Sequence, residues 1–375
     1  MNGAAPFGVY VHIPFCRFRC DYCAFATYAD RDHLMDSYVR ACVNEIGQAK
    51  EVEGMAVASS VFFGGGTPSR LPAEQLIDIL AVIPRTAEAE VTVECNPEDV
   101  SAERLSTYRR GGVTRISLGV QSTVPHVLEG LGRRHGPPEA FEAAALVAQA
   151  GFASWNMDLM IGGSGESGAD WETSLGDVIG LASPPPHLSA YSLTVEPGTP
   201  LAADTRRHPD DDAQADRYEV AESVLEAAGY RWEEISNWSL PGHECRHNGL
   251  YWDQGDYRGI GSGAHSHHAG HRWWNVRTPD RYVALVDTGK SPLGGEEVLD
   301  AGQRRFECAA LQLRTRHGVP SCLLPDHPDL DGLVERVGGR AVLTVRGRLM
   351  ANAVTARLVL GADDVGQDGT ITPYV

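Results

Sequence analysis

At 375 residues the chain is long enough for one barrel-sized domain plus a smaller one, because single hydrophobic cores stop growing at roughly 250–300 residues. Hydrophobic residues at 42% and charged residues at 22% exclude a disordered chain, and a net charge of −18 without any Lys/Arg stripe argues against nucleic acid as a partner. The opening residues lack the basic and apolar stretches of a signal peptide, and no run of about 18 apolar residues occurs, so a cytoplasmic protein without a transmembrane segment is expected.

Taken in chain order, short apolar or alternating runs predict strands over 7–13, 60–63, 90–95, 115–120, 154–161 and 187–195. Helical periodicity fills the gaps, over 33–50, 72–82, 101–110, 139–150 and 170–181, and a sixth helix follows at 211–228. Ser101 is expected to cap its helix, with Glu103 placing negative charge in the first turn. Six strand-helix alternations imply right-handed parallel β/α units: a barrel, a partial barrel or an open doubly wound sheet. Past Tyr230 the texture changes to Trp-, His- and Gly-rich loops, and from Glu296 to a helical tail with a turn over 343–349. These shifts divide the chain into segments 1–230, 231–295 and 296–375.

Chemistry concentrates just after the first strand. The eight cysteines are too sparse for a disulfide framework, yet three fall within eight positions: Cys16-Arg-Phe-Arg-Cys20-Asp-Tyr-Cys23. At this cysteine frequency such a spacing is expected by chance on the order of 0.004 times per chain. Three thiolates on one loop suit an iron–sulfur cluster in which one iron lacks a protein ligand. The alternative is a zinc loop completed by a distant residue such as Cys95 or His12. Phe15, Phe18, Tyr22 and Phe25 surround the thiolates with aromatic surface that can keep water from a cluster. The second strand ends in Gly64-Gly-Gly-Thr67, which lets backbone groups approach a polar ligand closely; taken alone, it is also an ordinary tight turn.

The run from Tyr10-Val-His-Ile-Pro-Phe-Cys16 to Cys23-Ala-Phe25 resembles the radical S-adenosylmethionine (SAM) superfamily, in the branch of oxygen-independent coproporphyrinogen III oxidases and their relatives. The resemblance implies a partial (β/α)6 radical SAM barrel of the α/β class with a small, mainly helical or winged C-terminal domain. It also implies a 4Fe-4S cluster on Cys16, Cys20 and Cys23 whose open iron receives the SAM amino and carboxylate groups. An electron from that cluster then cleaves SAM to a 5'-deoxyadenosyl radical. Tyr10, Tyr22, Gly65, Gly66, Thr67, Glu94, Gln121, Arg133 and Asp158 are the SAM contacts the resemblance implies, although a local Glu94–Arg133 ion pair would read the same way. The family has Gly-Leu-Pro-Gly after Asp158-Leu-Met-Ile, whereas this chain has Gly162-Gly-Ser-Gly-Glu166, which removes a proline from the loop.

Two features separate the branches. The oxidases carry a further cysteine two positions beyond the triplet and a longer N-terminal arm; here that position is Phe25, and 15 residues precede Cys16. The segment Glu244-Cys245-Arg-His247-Asn248-Gly-Leu-Tyr251-Trp252, with Arg272-Trp-Trp-Asn-Val-Arg277 beyond it, is similar to the haem-chaperone branch. That resemblance implies haem as bound cargo, held at His247, Tyr251 and Trp252, and an apo-haemoprotein as acceptor. An imidazole is a good axial ligand, Trp273 and Trp274 add flat apolar surface, and Arg272 or Arg277 suits a propionate. Cys245 and His265 remain alternative ligands, and a purely structural hydrogen-bonding His247 is the plainer alternative. The expectation is therefore a cluster-bearing haem chaperone, set against a radical SAM enzyme of tetrapyrroles that performs decarboxylation or methyl transfer. Homodimerisation and peripheral membrane association through the acceptor stay open.

Overall fold

The computed structural model describes residues 5–52 and 54–359. Strands β1 (Phe7–Ile13), β2 (Ala58–Gly65), β3 (Arg85–Cys95), β4 (Arg115–Gln121), β5 (Ser154–Ile161) and β6 (His187–Ser192) lie side by side in sequence order, all parallel. Between and after them run helices α1 (Met35–Val52), α2 (Ala73–Val82), α3 (Ala102–Arg110), α4 (Pro125–Gly130), α5 (Pro137–Gln149), α6 (Gly168–Ile179), α7 (Pro200–Ala203) and α8 (Asp211–Ala227). This is the expected partial (β/α)6 arrangement.

The two faces of these strands differ in chemistry because side chains alternate with a period of two. On β5, Trp155, Met157, Leu159 and Ile161 are buried in the main core, while Asn156 and Asp158 point the other way, into the barrel. Helix α1 supplies the complementary stripe, with Tyr38, Val39, Ala41, Cys42, Ile46 and Ala49 buried. Helix starts follow their caps. Ser101 accepts the Arg104 N–H at 3.2 Å, as expected, and Arg104 sends its guanidinium instead to the Leu71 carbonyl at 2.7 Å. A Ser167–Asp170 capping box starts α6 at Gly168, and Pro137 at the first position starts α5, so both begin about two residues before the apolar periodicity suggests.

Residues 231–295 differ from the expected loops. Strands β7 (Arg231–Glu234) and β8 (Asn237–Ser239) extend the sheet beyond β6. After α9 (Arg246–Trp252), strand β9 (Asp256–Ile260) adds to β1 in parallel, and β10 (His265–His268), β11 (His271–Asn275) and β12 (Leu293–Val298) continue antiparallel, with α10 (Pro279–Asp287) between the last two. The result is a 12-stranded sheet. These strands escape the sequence pattern because they are short, and because β12 is largely exposed on both faces, so no apolar alternation marks it.

The tail holds α11 (Ala301–Leu313), a three-stranded antiparallel sheet of β13 (Val319–Pro320), β14 (Val334–Val337) and β15 (Arg340–Leu343), then α12 (Val345–Leu349) and α13 (Ala351–Thr355). It packs around a separate apolar cluster that includes Leu313, Val319, Leu324, Leu343 and Val354. The small sheet was not legible in the sequence, and residues 360–375 of the third segment lie outside the described residues. Among the described residues no helix is long and apolar enough to cross a membrane.

Candidate cofactor site

The carboxyl ends of β1 to β6 open onto a cavity of about 540 Å³. That end is where β/α folds place their chemistry, since successive loops converge there. Cys16, Cys20 and Cys23 all line it, and so do Tyr10, Tyr22, Gly65, Gly66, Thr67, Glu94, Gln121, Arg133 and Asp158. Residues more than 140 positions apart are thus brought around one space.

The cysteine loop is tied down at both ends. The Cys16 N–H donates to the Tyr28 carbonyl at 3.1 Å, the Tyr28 N–H to Pro14 at 2.8 Å, and the Cys23 N–H to Cys20 at 3.2 Å. The Thr67 hydroxyl donates to Cys16 Sγ at 3.6 Å, and the Arg133 guanidinium to Cys20 Sγ at 3.5 Å. Burial pushes the Cys16 thiol up to about 11, so its thiolate needs a cation, and iron would supply one. Among the described residues no three His, Cys, Asp or Glu side chains converge on a point as ligands of a single metal ion must. A cubane asks for something else, one thiolate on each of three irons. The zinc alternative also lacks its fourth ligand. Both nitrogens of His12 are engaged, by Tyr10 at 3.1 Å and the Ala26 carbonyl at 3.0 Å, and the Cys95 thiol turns to its own strand at Val93.

The glycine turn is built for close approach. Gly66 sits where a Cβ would come within 2.9 Å of the Ile13 and Phe15 carbonyls and 3.0 Å of Cys16 Sγ, so any larger residue would push the first cysteine away. Gly65 has φ +113°, a conformation that favours glycine, and its N–H donates to Glu94 at 3.3 Å. Gln121, at the end of β4, is strained as well, with φ +71°. Its position in the cavity wall fits the tendency of such strain to gather at functional sites.

Charge in the cavity fits an amino acid that carries extra positive charge. Burial, then the charge of Asp158, pushes Glu94 up to about 8, and burial raises Asp158 despite hydrogen bonds from Asn156 at 2.7 Å and Ser117 at 3.2 Å. Two carboxylates made reluctant to ionise are a seat for a cation such as the ammonium or sulfonium of SAM. Arg133 does not pair with Glu94. It binds Cys20 and the Gly119 carbonyl, leaving its buried Nε without a partner and available to a carboxylate. The donor set therefore fits SAM.

A pH dependence follows. With Glu94 near 8, most of the ligand-free protein is protonated there at pH 7, and a cation seated beside it favours the carboxylate. SAM binding at pH 7 is expected to release close to one proton, and affinity to rise as pH climbs from 6 through 8. Calorimetry in two buffers of different ionisation enthalpy reads the proton directly, and Glu94→Gln should abolish it; a buffer-independent heat in the wild type would contradict the assignment.

The altered loop stays outside the cavity lining. Glu166 closes it, accepting the Gly162 N–H at 2.7 Å and lying 3.6 Å from Arg217, so a buried carboxylate does the work of the missing proline.

The candidate haem residues scatter. His247, 1% exposed, bonds Ser60 at 2.9 Å and Tyr251 at 2.9 Å and stacks on Phe62, so both ring nitrogens are committed. Burial lowers its pKa to about 3 and keeps it neutral. Cys245 turns its thiol to Glu90 at 3.7 Å, and burial pushes it up to about 12. Tyr251 lines the cavity, but Trp252 does not: five residues on from His247, it sits about 140° around α9 and lines neither cavity. Arg272 is taken by Glu307 at 2.6 Å and Glu297 at 2.9 Å. His265, Trp274 and Arg277 line a second cavity next door. Ser117, Asn156, Ser189 and Asn237, which are not among the site residues expected from sequence, also face the first cavity. They form a chain in which Asn156 Nδ2 reaches Ser117 at 2.8 Å and Ser189 at 3.1 Å, and Ser189 donates to Asn237 at 2.7 Å.

The profile of the Radical SAM superfamily matches residues 10–178. Together with the six parallel strands and the cysteine loop, this defines a radical SAM protein, the class that uses a 4Fe-4S cluster and SAM. Escherichia coli coproporphyrinogen III oxidase (HemN), a radical SAM enzyme, shares the fold, with a TM-score of 0.78 and 23% identity over 94% of this chain and 89% of that one. The chain is 41% identical over 372 residues to Heme chaperone HemW of Mycobacterium tuberculosis, covering 94% of this chain and 95% of the relative. It is 44% identical over 295 residues to Heme chaperone HemW of Escherichia coli, covering 77% and 75%. Within the radical SAM class, the chain belongs to the HemW family.

Proposed function

We propose that this chain binds haem and passes it to an apo-haemoprotein, while holding a 4Fe-4S cluster on Cys16, Cys20 and Cys23 and SAM against the glycine turn, Glu94, Gln121, Arg133 and Asp158. The observation that carries the reading is the similarity to chains named heme chaperones over nearly the whole length, including the 231–295 region outside the matched superfamily profile. When bound, the cluster and SAM supply one-electron chemistry. The chain's own residues hold the loop, seat the cation and keep water from the thiolates through Tyr22.

In this reading residues 1–230 hold the cofactors and 231–295 receive haem, with no role assigned to 296–375. Phe25, in place of the oxidases' additional cysteine, supports delivery over porphyrinogen oxidation. Anaerobic incubation of reconstituted protein with SAM, a reductant and coproporphyrinogen III is expected to yield no protoporphyrinogen. Stoichiometric product would overturn the reading.

A further inference from the structure

The second cavity has a volume of about 800 Å³, within the range of roughly 300–1,000 Å³ typical of small-molecule and cofactor sites. It adjoins the first: Tyr10, Ala24, Phe25 and Tyr251 line both. One wall is thus the loop that carries Cys23. The opposite wall is built from β10, β11 and α10, through His265, Trp274 and Arg281.

We propose that this second cavity is the haem seat, with His265 as axial ligand, Trp274 bracing that imidazole, Phe25 as the flat apolar contact, and Arg281 with Arg277 facing the propionates. The proposal rests on the haem-binding reading above and adds to it the site.

The imidazoles decide between candidates. Four line the two cavities: His12, His187, His247 and His265. An axial ligand needs a ring nitrogen with a free lone pair that a planar macrocycle can reach. His12 and His247 have both nitrogens engaged. His187 meets Asn156 at 2.7 Å through Nδ1, and its Nε2, which makes no hydrogen bond, faces Glu233 at 3.2 Å on a ring only 1% exposed, where a planar macrocycle cannot reach it. For His12 or His247 to bind iron, a buried hydrogen bond must break and leave its partner unpaired. His265 is exposed, and among the described residues its ring makes no hydrogen bond. Partial burial and then the nearby Arg272 charge lower its pKa, which keeps the lone pair free at neutral pH.

The surroundings suit a flat dianion. His265 stacks on Trp274, ring centroids 5.5 Å apart and 25° from parallel. Gly295 leaves room for that indole: a Cβ there would lie 2.5 Å from Trp274 Cζ2. Phe25 is 69% exposed, a large aromatic that nothing covers in the single chain. Arg281 is exposed, and among the described residues no carboxylate pairs with it; the neighbouring Asp280 is taken by Arg31 at 2.9 Å. Arg277 spends one N–H on the Ala24 carbonyl at 2.9 Å and keeps others free. On a chain of net charge −18, two arginines at a cavity mouth mark where an anionic ligand is tolerated.

The test is titration of hemin into the full-length, cluster-reconstituted protein, followed by Soret absorption and electron paramagnetic resonance, then mixing with an apo-haemoprotein. Wild type is expected to give an imidazole-ligated spectrum. His265→Ala should lose that spectrum and bind about tenfold or more weakly. His265→Cys should bind with a thiolate-type spectrum, a change that mere disruption of the fold would not produce. His247→Gln should keep the imidazole signature. Retention of the wild-type spectrum and affinity by His265→Ala, or of the wild-type spectrum by His265→Cys, overturns the seat. If His265→Ala also passes hemin on as wild type does, only the seat fails. If wild type binds no hemin at all, the chaperone reading fails with it.

Discussion

Cys20→Ala is expected to lower the iron content of the reconstituted protein more than about tenfold, because a cubane deprived of one of only three thiolate ligands is not retained. Cys20 also accepts a hydrogen bond from Arg133 at 3.5 Å, so the variant leaves a guanidinium in the cavity wall without that acceptor. That should add a stability loss of about 1–3 kcal/mol. Cys42→Ala and Cys308→Ala are the controls. Cys42 lies in the core beside Tyr282, and Cys308 in the separate tail cluster, so neither should change the iron bound. Iron and sulfide assays read the outcome, and undiminished iron in Cys20→Ala would remove the basis for the cluster assignment.

The largest loss of stability is expected at a residue that does not line the cofactor cavity. Glu45, on α1, is 1% exposed and gathers the Gly261 N–H at 2.9 Å, Asn275 Nδ2 at 2.8 Å and the Tyr282 hydroxyl at 2.6 Å, with Arg258 at 3.8 Å. These partners lie on β9, the turn after it, β11 and α10, which are the elements that wall the second cavity. One carboxylate therefore fastens that wall to the barrel. Glu45→Ala should cost about 3–5 kcal/mol, as expected when one member of a buried charged network is removed. Glu45→Gln keeps the volume and an acceptor, and should cost less, about 1–3 kcal/mol. Denaturant unfolding measures both. Equal stability of Glu45→Ala and wild type would mean that water, not Glu45, satisfies those donors.

Much of the barrel was legible because each strand advertises two faces. On β1 and β5 the apolar run and the strand coincide in their end residues. The cavity-facing set could have been found by the same rule applied to the polar positions. Thr92, Glu94 and Asn96 alternate on β3 and just beyond it, Ser117, Gly119 and Gln121 on β4, and Asn156, Asp158 and Met160 on β5, each two residues apart and each lining the cavity. Ser117 and Asn156 lie within the same motif runs as Gln121 and Asp158, but the resemblance implies SAM contacts only at the latter two. The outer strands were not legible for the opposite reason. On β10 and β11 the sequences His-Ser-His-His and His-Arg-Trp-Trp-Asn carry no apolar alternation.

His247 shows what a motif cannot supply. Its ligand capacity depends on Ser60, 187 positions earlier, and on Tyr251, whose hydroxyl takes the second nitrogen. Sequence placed an imidazole in a segment that resembles the haem-chaperone branch; tertiary structure committed both its lone pair and its proton. His265, an alternative ligand already in the sequence, carries no such commitments, and the packing of β10 against β11 sets it apart from the other imidazoles.

The account as a whole stands on delivery of haem. The most direct measurement is transfer: hemin-loaded protein, with cluster and SAM present, is mixed with an apo-haemoprotein and the Soret spectrum followed, alongside free hemin trapped by an excess of competing apo-protein. The account predicts that hemin moves to the acceptor from a protein-bound state, at a rate that depends on acceptor concentration. Transfer no different from passive dissociation, with a rate that ignores the acceptor, would contradict it.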